Sequence, residues 1–401
     1  MNGSVLITRA VLKNYKSIAT CSVKLRSLIF LVGQNGSGKS NFLDALHFVA
    51  DALRDSLDQA LRVRGGFDEV RQRGARPADV FTVGVHFQLP GGATGSYELV
   101  IGAHPQGGAL IQGETCRIAW RSPNGQPARE TFFHLEQGEL IRSNLPAPPA
   151  SSPGRLYLVN ASGYPDFRPL YEALSRMAFY SFSPAPIREL QVPTAGEWLA
   201  RDGSNIASVW RHLARTHPDL KRRVEEYVGK VTPAITSIEG KTVGPKETLE
   251  FRQAAAGMGE PCPFLAANMS DGTLHALAVL VALFQPGNGS RHRIPLVGIE
   301  EPELALHPAA AGVLRESLND ASRATQVLVT SHSPDLLDDA AISPDSILAA
   351  VTEHGASRIG PLNGVCRSVL QDRLFTAGEL LQLNQLEPEP AEGPREPVSR
   401  F

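Results

Sequence analysis

Gly33-Gln34-Asn35-Gly36-Ser37-Gly38-Lys39-Ser40, followed by Asn41, carries the strongest chemical signal in the chain. Glycines at this spacing let the backbone wrap a polyphosphate without Cβ clashes. Successive N–H groups at the start of a helix then face its oxygens. Lys39 supplies a point charge to the β and γ oxygens, and the Ser40 hydroxyl can ligate Mg²⁺. The spacing predicts a nucleotide site with Mg²⁺ beside it. Three later segments fit beside it. Glu300 and Glu301 close an apolar run; Glu300 suits the Mg²⁺ shell, and Glu301 can orient and deprotonate an attacking water. His332 ends another apolar run, where a γ-phosphate sensor would lie. Ser270 is a natural N-cap, and Asp271-Gly272-Thr273 leaves first-turn amides uncovered.

Elements must bring these residues together. Leu28-Ile29-Phe30-Leu31-Val32 reads as a strand buried on both faces, directly before the glycine-rich loop. Phe42, Ala45, Leu46, Val49, Leu53 and Leu57 then recur at helical spacing. The pattern predicts an α/β fold in five stretches. Residues 1–80 form an N-terminal lobe around the loop, and 81–190 an antiparallel β-meander. Residues 191–260 read as a helical insertion with Trp198, Ile206, Val209, Trp210, Leu213 and Val224 in its core. Residues 261–386 alternate helix and strand as a C-terminal lobe, and 387–401, rich in Pro and Glu, read as a disordered tail.

Composition sets outer limits. Lys plus Arg number 39 against 41 Asp plus Glu, which excludes a wholly basic nucleic-acid coat but not a local basic patch. The four cysteines, Cys21, Cys116, Cys262 and Cys366, lack the spacing of a zinc site or a disulfide scaffold, so a reducing cytoplasm fits. The apolar run Leu274–Phe284 is 11 residues, against the ~20 that span a bilayer, and no membrane partner is expected.

Taken in order, the four segments resemble the ABC-type ATPases: 33–40 as Walker A, 269–273 as signature, 296–301 as Walker B, and His332 as switch histidine. Glu300-Glu301-Pro302-Glu303 with Leu306-His307-Pro308, then Thr330-Ser331-His332-Ser333-Pro334, is similar to the SMC/RecF/OLD-like branch, whose members act on DNA, RNA or in anti-phage defence. Leu12–Ile18 resembles its opening strand. The resemblance implies a P-loop NTPase head that dimerises head-to-head around ATP. Each nucleotide would then meet one chain's Walker A and the other's Ser270–Thr273. It further implies an action on nucleic acid or on a separately encoded effector, possibly a TOPRIM-type nuclease, since the chain after Pro334 is too short to hold that module. Two departures stand out: Glu300 where many ABC ATPases have Asp, and His307 where an acidic residue is usual. Phe179–Arg188 is the nearest equivalent of the Q-loop. Alternatives are a transporter's nucleotide-binding subunit and a non-hydrolysing ATP-gated scaffold. Arg62, Arg64, Arg71, Arg73 and Arg76 read either as a phosphate track or finger, or as a solvated loop. Arg211, Arg215, Lys221, Arg222 and Arg223 read as a solvated helix face.

Overall fold

The computed structural model describes residues 5–73, 78–104, 106–121, 127–152, 154–254, 260–286 and 294–390. Three strands open the chain: β1 (Leu6–Tyr15), β2 (Ile18–Lys24) and β3 (Leu28–Val32). Helix α1 (Lys39–Arg54) follows the glycine-rich loop. Then come β4 (Val80–Gln88), β5 (Thr94–Ala103), β6 (Ala109–Arg121), β7 (Pro127–Glu136), β8 (Glu139–Ser143) and the short β9 (Ala178–Tyr180). A separate small sheet holds β10 (Ile235–Val243), β11 (Lys246–Gln253) and β12 (Cys262–Leu265). The last strands are β13 (Leu296–Glu300), β14 (Gln326–Ser331), β15 (Ile347–Glu353) and β16 (Ala356–Pro361).

The large sheet runs β8-β7-β6-β5-β4-β1-β2-β16-β15-β3-β14-β13-β9. Its antiparallel meander, β8 to β4, continues through β1 and β2 into a parallel core of β15, β3, β14, β13 and β9. The core strands read as unbroken apolar runs because both faces are covered. Alternation across β3 shows this directly. Ile29 and Leu31 join the cluster containing α1 and the meander, while Leu28, Phe30 and Val32 join the cluster built on the helix Asp271–Phe284. In β14, Leu328 faces the first cluster and Val327 and Val329 the second. Gly298 in β13 is small for a reason: a Cβ there would come within 2.5 Å of the Phe179 ring.

Three expectations need correction. Residues 191–260 are not all helix: Ile206–Thr216 and Pro218–Val231 are helical, but β10 and β11 form an antiparallel hairpin turning at Gly244, whose φ is 58°. Alternating burial of Leu249 and Phe251, and the Gly244-Pro245 punctuation, override any helical continuation there. The meander stops at Ser143, not near residue 190, and helices Tyr157–Ala161 and Arg168–Ser175 lead back to β9. A glycine- and proline-rich stretch hid these short helices, whose apolar residues pack on the meander core. The tail begins ordered: the Glu389 N–H donates to the Pro361 carbonyl and Arg358 donates to the Pro388 and Glu389 carbonyls, while 391–401 lie outside the described residues.

Candidate nucleotide site

Strand register creates the site. β3, β14 and β13 lie side by side and parallel, with Ser331 paired to Val32 and Thr330 to Glu300. Their carboxyl ends therefore deliver Gly33, His332 and Glu301 to one edge of the sheet, where ligands of such sheets bind.

Backbone conformation shapes the loop after β3. Gly38 caps α1 at φ 95°, and a Cβ there would sit 2.2 Å from Ser357 Oγ. At Gly33 a Cβ would meet the Ala350 carbonyl oxygen at 2.1 Å. Lys39 is buried, and its Nζ donates to the Gly33 and Gln34 carbonyls, both at 2.8 Å. Burial lowers its pKa, opposed by the charges of Glu301 and Glu303. Thr352 Oγ1 donates to the Gly36 carbonyl at 3.1 Å, Gln34 pairs with Asn384 at 2.9 Å, and Asn41 Nδ2 donates to Ser17 Oγ at 2.7 Å. Gln34 and Asn35 are exposed, whereas Ser37 is buried with no partner for its hydroxyl among the described residues. A buried hydroxyl left without a partner in a glycine-rich loop suits an anion.

Across the loop, Ser40 Oγ donates to Glu300 Oε2 at 3.0 Å. Two hard oxygen donors so placed fit Mg²⁺, which is held by few protein ligands plus phosphate oxygens. Among the described residues no group of three or more His, Cys, Asp or Glu gathers as an all-protein metal cage. Glu301 has a left-handed φ of 45°, a strained conformation for a non-glycine residue. Its N–H bonds to the Thr330 carbonyl at 3.0 Å, and its Oε1 lies 3.1 Å from His332 Nδ1. The structure thus gathers Lys39, Ser40, Glu300, Glu301 and His332 at one edge.

It does not bring Ser270, Asp271, Gly272 or Thr273 there. Ser270 caps its helix by accepting from the Thr273 N–H at 3.3 Å, and Asp271 accepts from Arg188 at 2.6 Å. Gly272 packs on the following loop, where a Cβ would lie 2.6 Å from the Ala305 carbonyl. Ser270 and Asp271 remain exposed. The Phe179–Arg188 segment sends Arg188 to this helix start, and His307 caps a short turn by accepting from the Ala309 N–H at 3.2 Å.

Four arginines of the stretch have partners within the chain. Arg64 is buried against Asp44 and Asp51 at 2.8 and 3.0 Å, Arg71 pairs with Asp68, Arg73 with Glu69, and Arg62 donates to Gln59. Arg76 lies outside the described residues. In the second basic group, Arg211 binds the buried Glu247, Lys221 binds Glu225 and Glu239, and Arg223 binds Asp320. Arg211, Arg215, Arg222 and Arg223 are exposed, as a solvated face would be, and Lys221 is more enclosed.

Sequence reading missed two participants. Arg201 Nη2 reaches Glu300 Oε1 at 3.3 Å from a loop 99 residues away, and no local pattern announces it. Glu303 accepts from Ser331 Oγ at 2.5 Å, and burial raises its pKa. Its place in Glu300-Glu301-Pro302-Glu303 was visible, but its contact was not.

Comparison with known proteins agrees with this geometry. A family model described as "AAA domain, putative AbiEii toxin, Type IV TA system" matches residues 28–338, most of the chain. The chain belongs to this AAA-domain family. The match spans every residue named at the sheet edge and leaves β1, β2, β15 and β16 outside. Similar solved structures include an SMC head bound to the C-winged helix domain of ScpA, at 16% identity and TM-score 0.53, covering 88% of this chain and 96% of that one. Another is the SMC head with an extended coiled coil from Pyrococcus furiosus, bound to the C-terminal domain of ScpA, at 15% identity and TM-score 0.53, covering 92% and 100%. No curated relative matches the sequence. The fold of this AAA-domain chain is therefore a P-loop ATPase fold of the SMC-head type. Among the described residues no helix is long and apolar enough to cross a membrane.

Proposed function

We propose that this AAA-domain chain binds and hydrolyses ATP at the edge formed by β3, β14 and β13. The observation that carries the reading is a convergence: the P-loop serine meets Glu300 at 3.0 Å while Glu301 meets His332 at 3.1 Å. Gly33 to Asn41 would cradle the phosphates, with Lys39 released from the Gly33 and Gln34 carbonyls onto the β and γ oxygens. Ser40 and Glu300 would hold Mg²⁺, which when bound neutralises triphosphate charge. Glu301 is the general base: its carboxylate takes a proton from the attacking water while the backbone bond to Thr330 fixes its direction. His332 holds the other side of that carboxylate and faces the γ-phosphate.

We further propose that the site closes in a homodimer. The Ser270–Thr273 start lies at the head of an α-helix with Ser270 and Asp271 exposed, and it makes its contacts with Arg188 and Ala305; the positive end of that helix suits a second copy's phosphate. Closure would control an action on nucleic acid or on a partner effector, a TOPRIM-type nuclease being one candidate. The related SMC heads are solved with ScpA domains on them, which supports a protein partner. Phosphate release by wild type and by Lys39→Ala tests the enzyme reading: ATP-dependent turnover lost in the variant supports it, and turnover absent from wild type under all partner conditions defeats it.

A further inference from the structure

Arg201 lies where an ATP site with Ser40 and Glu300 would keep its cation. Glu300 has two oxygens and each is engaged: Oε2 by Ser40 at 3.0 Å, Oε1 by Arg201 Nη2 at 3.3 Å. The guanidinium is half exposed, whereas Glu300 is more enclosed. A pair of this exposure is weak and easily exchanged. Its loop, in contrast, is fixed. The Arg201 carbonyl accepts from the Ser181 N–H at 3.1 Å, immediately after β9, and β9 is registered on β13 with Tyr180 beside Ile299. The loop has a second anchor at Gln285, the residue that caps the helix Asp271–Phe284. The Gln285 carboxamide is buried, donating to Tyr180 OH at 2.6 Å and accepting from the Leu199 N–H at 3.2 Å. Asn205 Oδ1 accepts from the Ala200 N–H at 2.8 Å as a third. A long cationic side chain on a pinned backbone, held among the described residues by one weak pair at its tip, is built to change partners rather than to brace the fold.

We infer that Arg201 is a cis-acting arginine with two partners in turn: Glu300 before the cation arrives, and the terminal phosphate of ATP after it. In the empty site Arg201 offsets the Glu300 charge and competes with Mg²⁺ for Oε1. Once the cation takes Glu300, the guanidinium is left beside the phosphate seat, where its planar fork matches phosphoryl oxygens. No covalent step is added; the residue stabilises charge on the transferring group. The inference rests on the proposed ATP site.

The test uses the full-length chain and two readouts. First, binding of fluorescent ADP is titrated with Mg²⁺; ADP lacks the terminal phosphate, so only the competition is read. Arg201→Ala should lower half-saturating Mg²⁺ by up to about fivefold, the scale of an exposed ion pair. Second, ATP turnover by Arg201→Ala should fall roughly ten- to a hundredfold with KM little changed. Arg201→Lys keeps a cation and should restore the wild-type Mg²⁺ requirement with only part of the turnover. Failure of either change in Arg201→Ala overturns the assignment. A wild-type chain that binds no nucleotide would refute the ATP site itself and this inference with it, whereas wild-type binding with an indifferent Arg201→Ala removes the inference alone.

Discussion

Two groups of charged residues flank helix α1, and they are built in opposite ways. On its outer side Arg64 is enclosed with Asp44, Asp51 and Lys16, and Tyr15 donates to Asp44 at 2.9 Å. At its N-terminal end Ser40, Glu300, Glu301, His332 and Arg201 are partly exposed, each holding one or two partners. The first group is closed. Burial would push the Asp51 carboxyl up, but the bond and charge of His47 and the charge of Arg64 outweigh it and bring it to about 2. Burial also works against Arg64, yet Asp44, Tyr15 and Asp51 hold its pKa above the ordinary value. The second group is open, with a strained backbone at Glu301 and an unpartnered hydroxyl at Ser37. The closed group is enclosed and paired within the chain, whereas the open group lies partly exposed around a loop with a partnerless hydroxyl.

Arg64→Ala should separate the two groups by its effect on stability. It takes one partner each from Asp44 and Asp51, which keep Lys16, Tyr15, His47 and Arg54, and should cost about 1–3 kcal/mol of unfolding free energy in a denaturant titration. Nucleotide affinity of the folded fraction should be unchanged. A variant of wild-type stability with impaired nucleotide binding would put Arg64 in the open group instead.

Glu114, in β6, is a second closed centre. It accepts from Tyr97 OH and from the Tyr157 and Leu158 N–H groups, which dock the post-meander helix. Burial raises its pKa from 4.5 to about 7, opposed by those three donors. A folded-state value above the unfolded one means that folding takes up a proton. The contribution is fully present below about 4.5 and is lost as pH rises through about 7. Stability measured against pH should therefore fall by about 3 kcal/mol more over that window in wild type than in Glu114→Gln. Parallel curves would show that Glu114 is ionised in the fold.

At the open edge the effects should fall on ligands rather than on folding. Glu300→Gln should raise the Mg²⁺ needed for ADP binding roughly a hundredfold, a shift opposite in sign to Arg201→Ala, with unfolding free energy within about 0.5 kcal/mol of wild type. His332→Ala should be the mildest, slowing turnover roughly tenfold while ATP still binds, as measured by phosphate release beside equilibrium binding. A large stability loss in either would move that residue into the closed group.

The open group was the more legible in sequence. Gly33–Ser40, Glu300-Glu301 and His332 announce themselves because loop, strand end and chemistry coincide within a few residues, and an apolar run such as Leu28–Val32 marks the buried strand before it. The closed group was misread for the complementary reason. Arg64 looked like one of five similar arginines, and only the fold puts Asp44 and Asp51 against it. The Arg201–Glu300 contact joins β9's following loop to β13, a tertiary pairing that no local period encodes. The β10–β11 hairpin carried its Gly244-Pro245 signal, but two preceding helices drew the reading past it. Short helices at 157–161 and 168–175 are held by packing and by Glu114 rather than by propensity.

If Glu301 activates water on a nucleotide shared by two copies of this chain, one substitution exposes both functions. Glu301→Gln keeps the shape of the side chain and removes its basicity, so one preparation reads both parts. With ATP and Mg²⁺, light scattering should show this variant as a stable dimer while phosphate release falls at least a hundredfold below wild type. A variant that stays monomeric at saturating ATP, with its partners present, or that turns over at the wild-type rate, would refute the shared site or the Glu301 base.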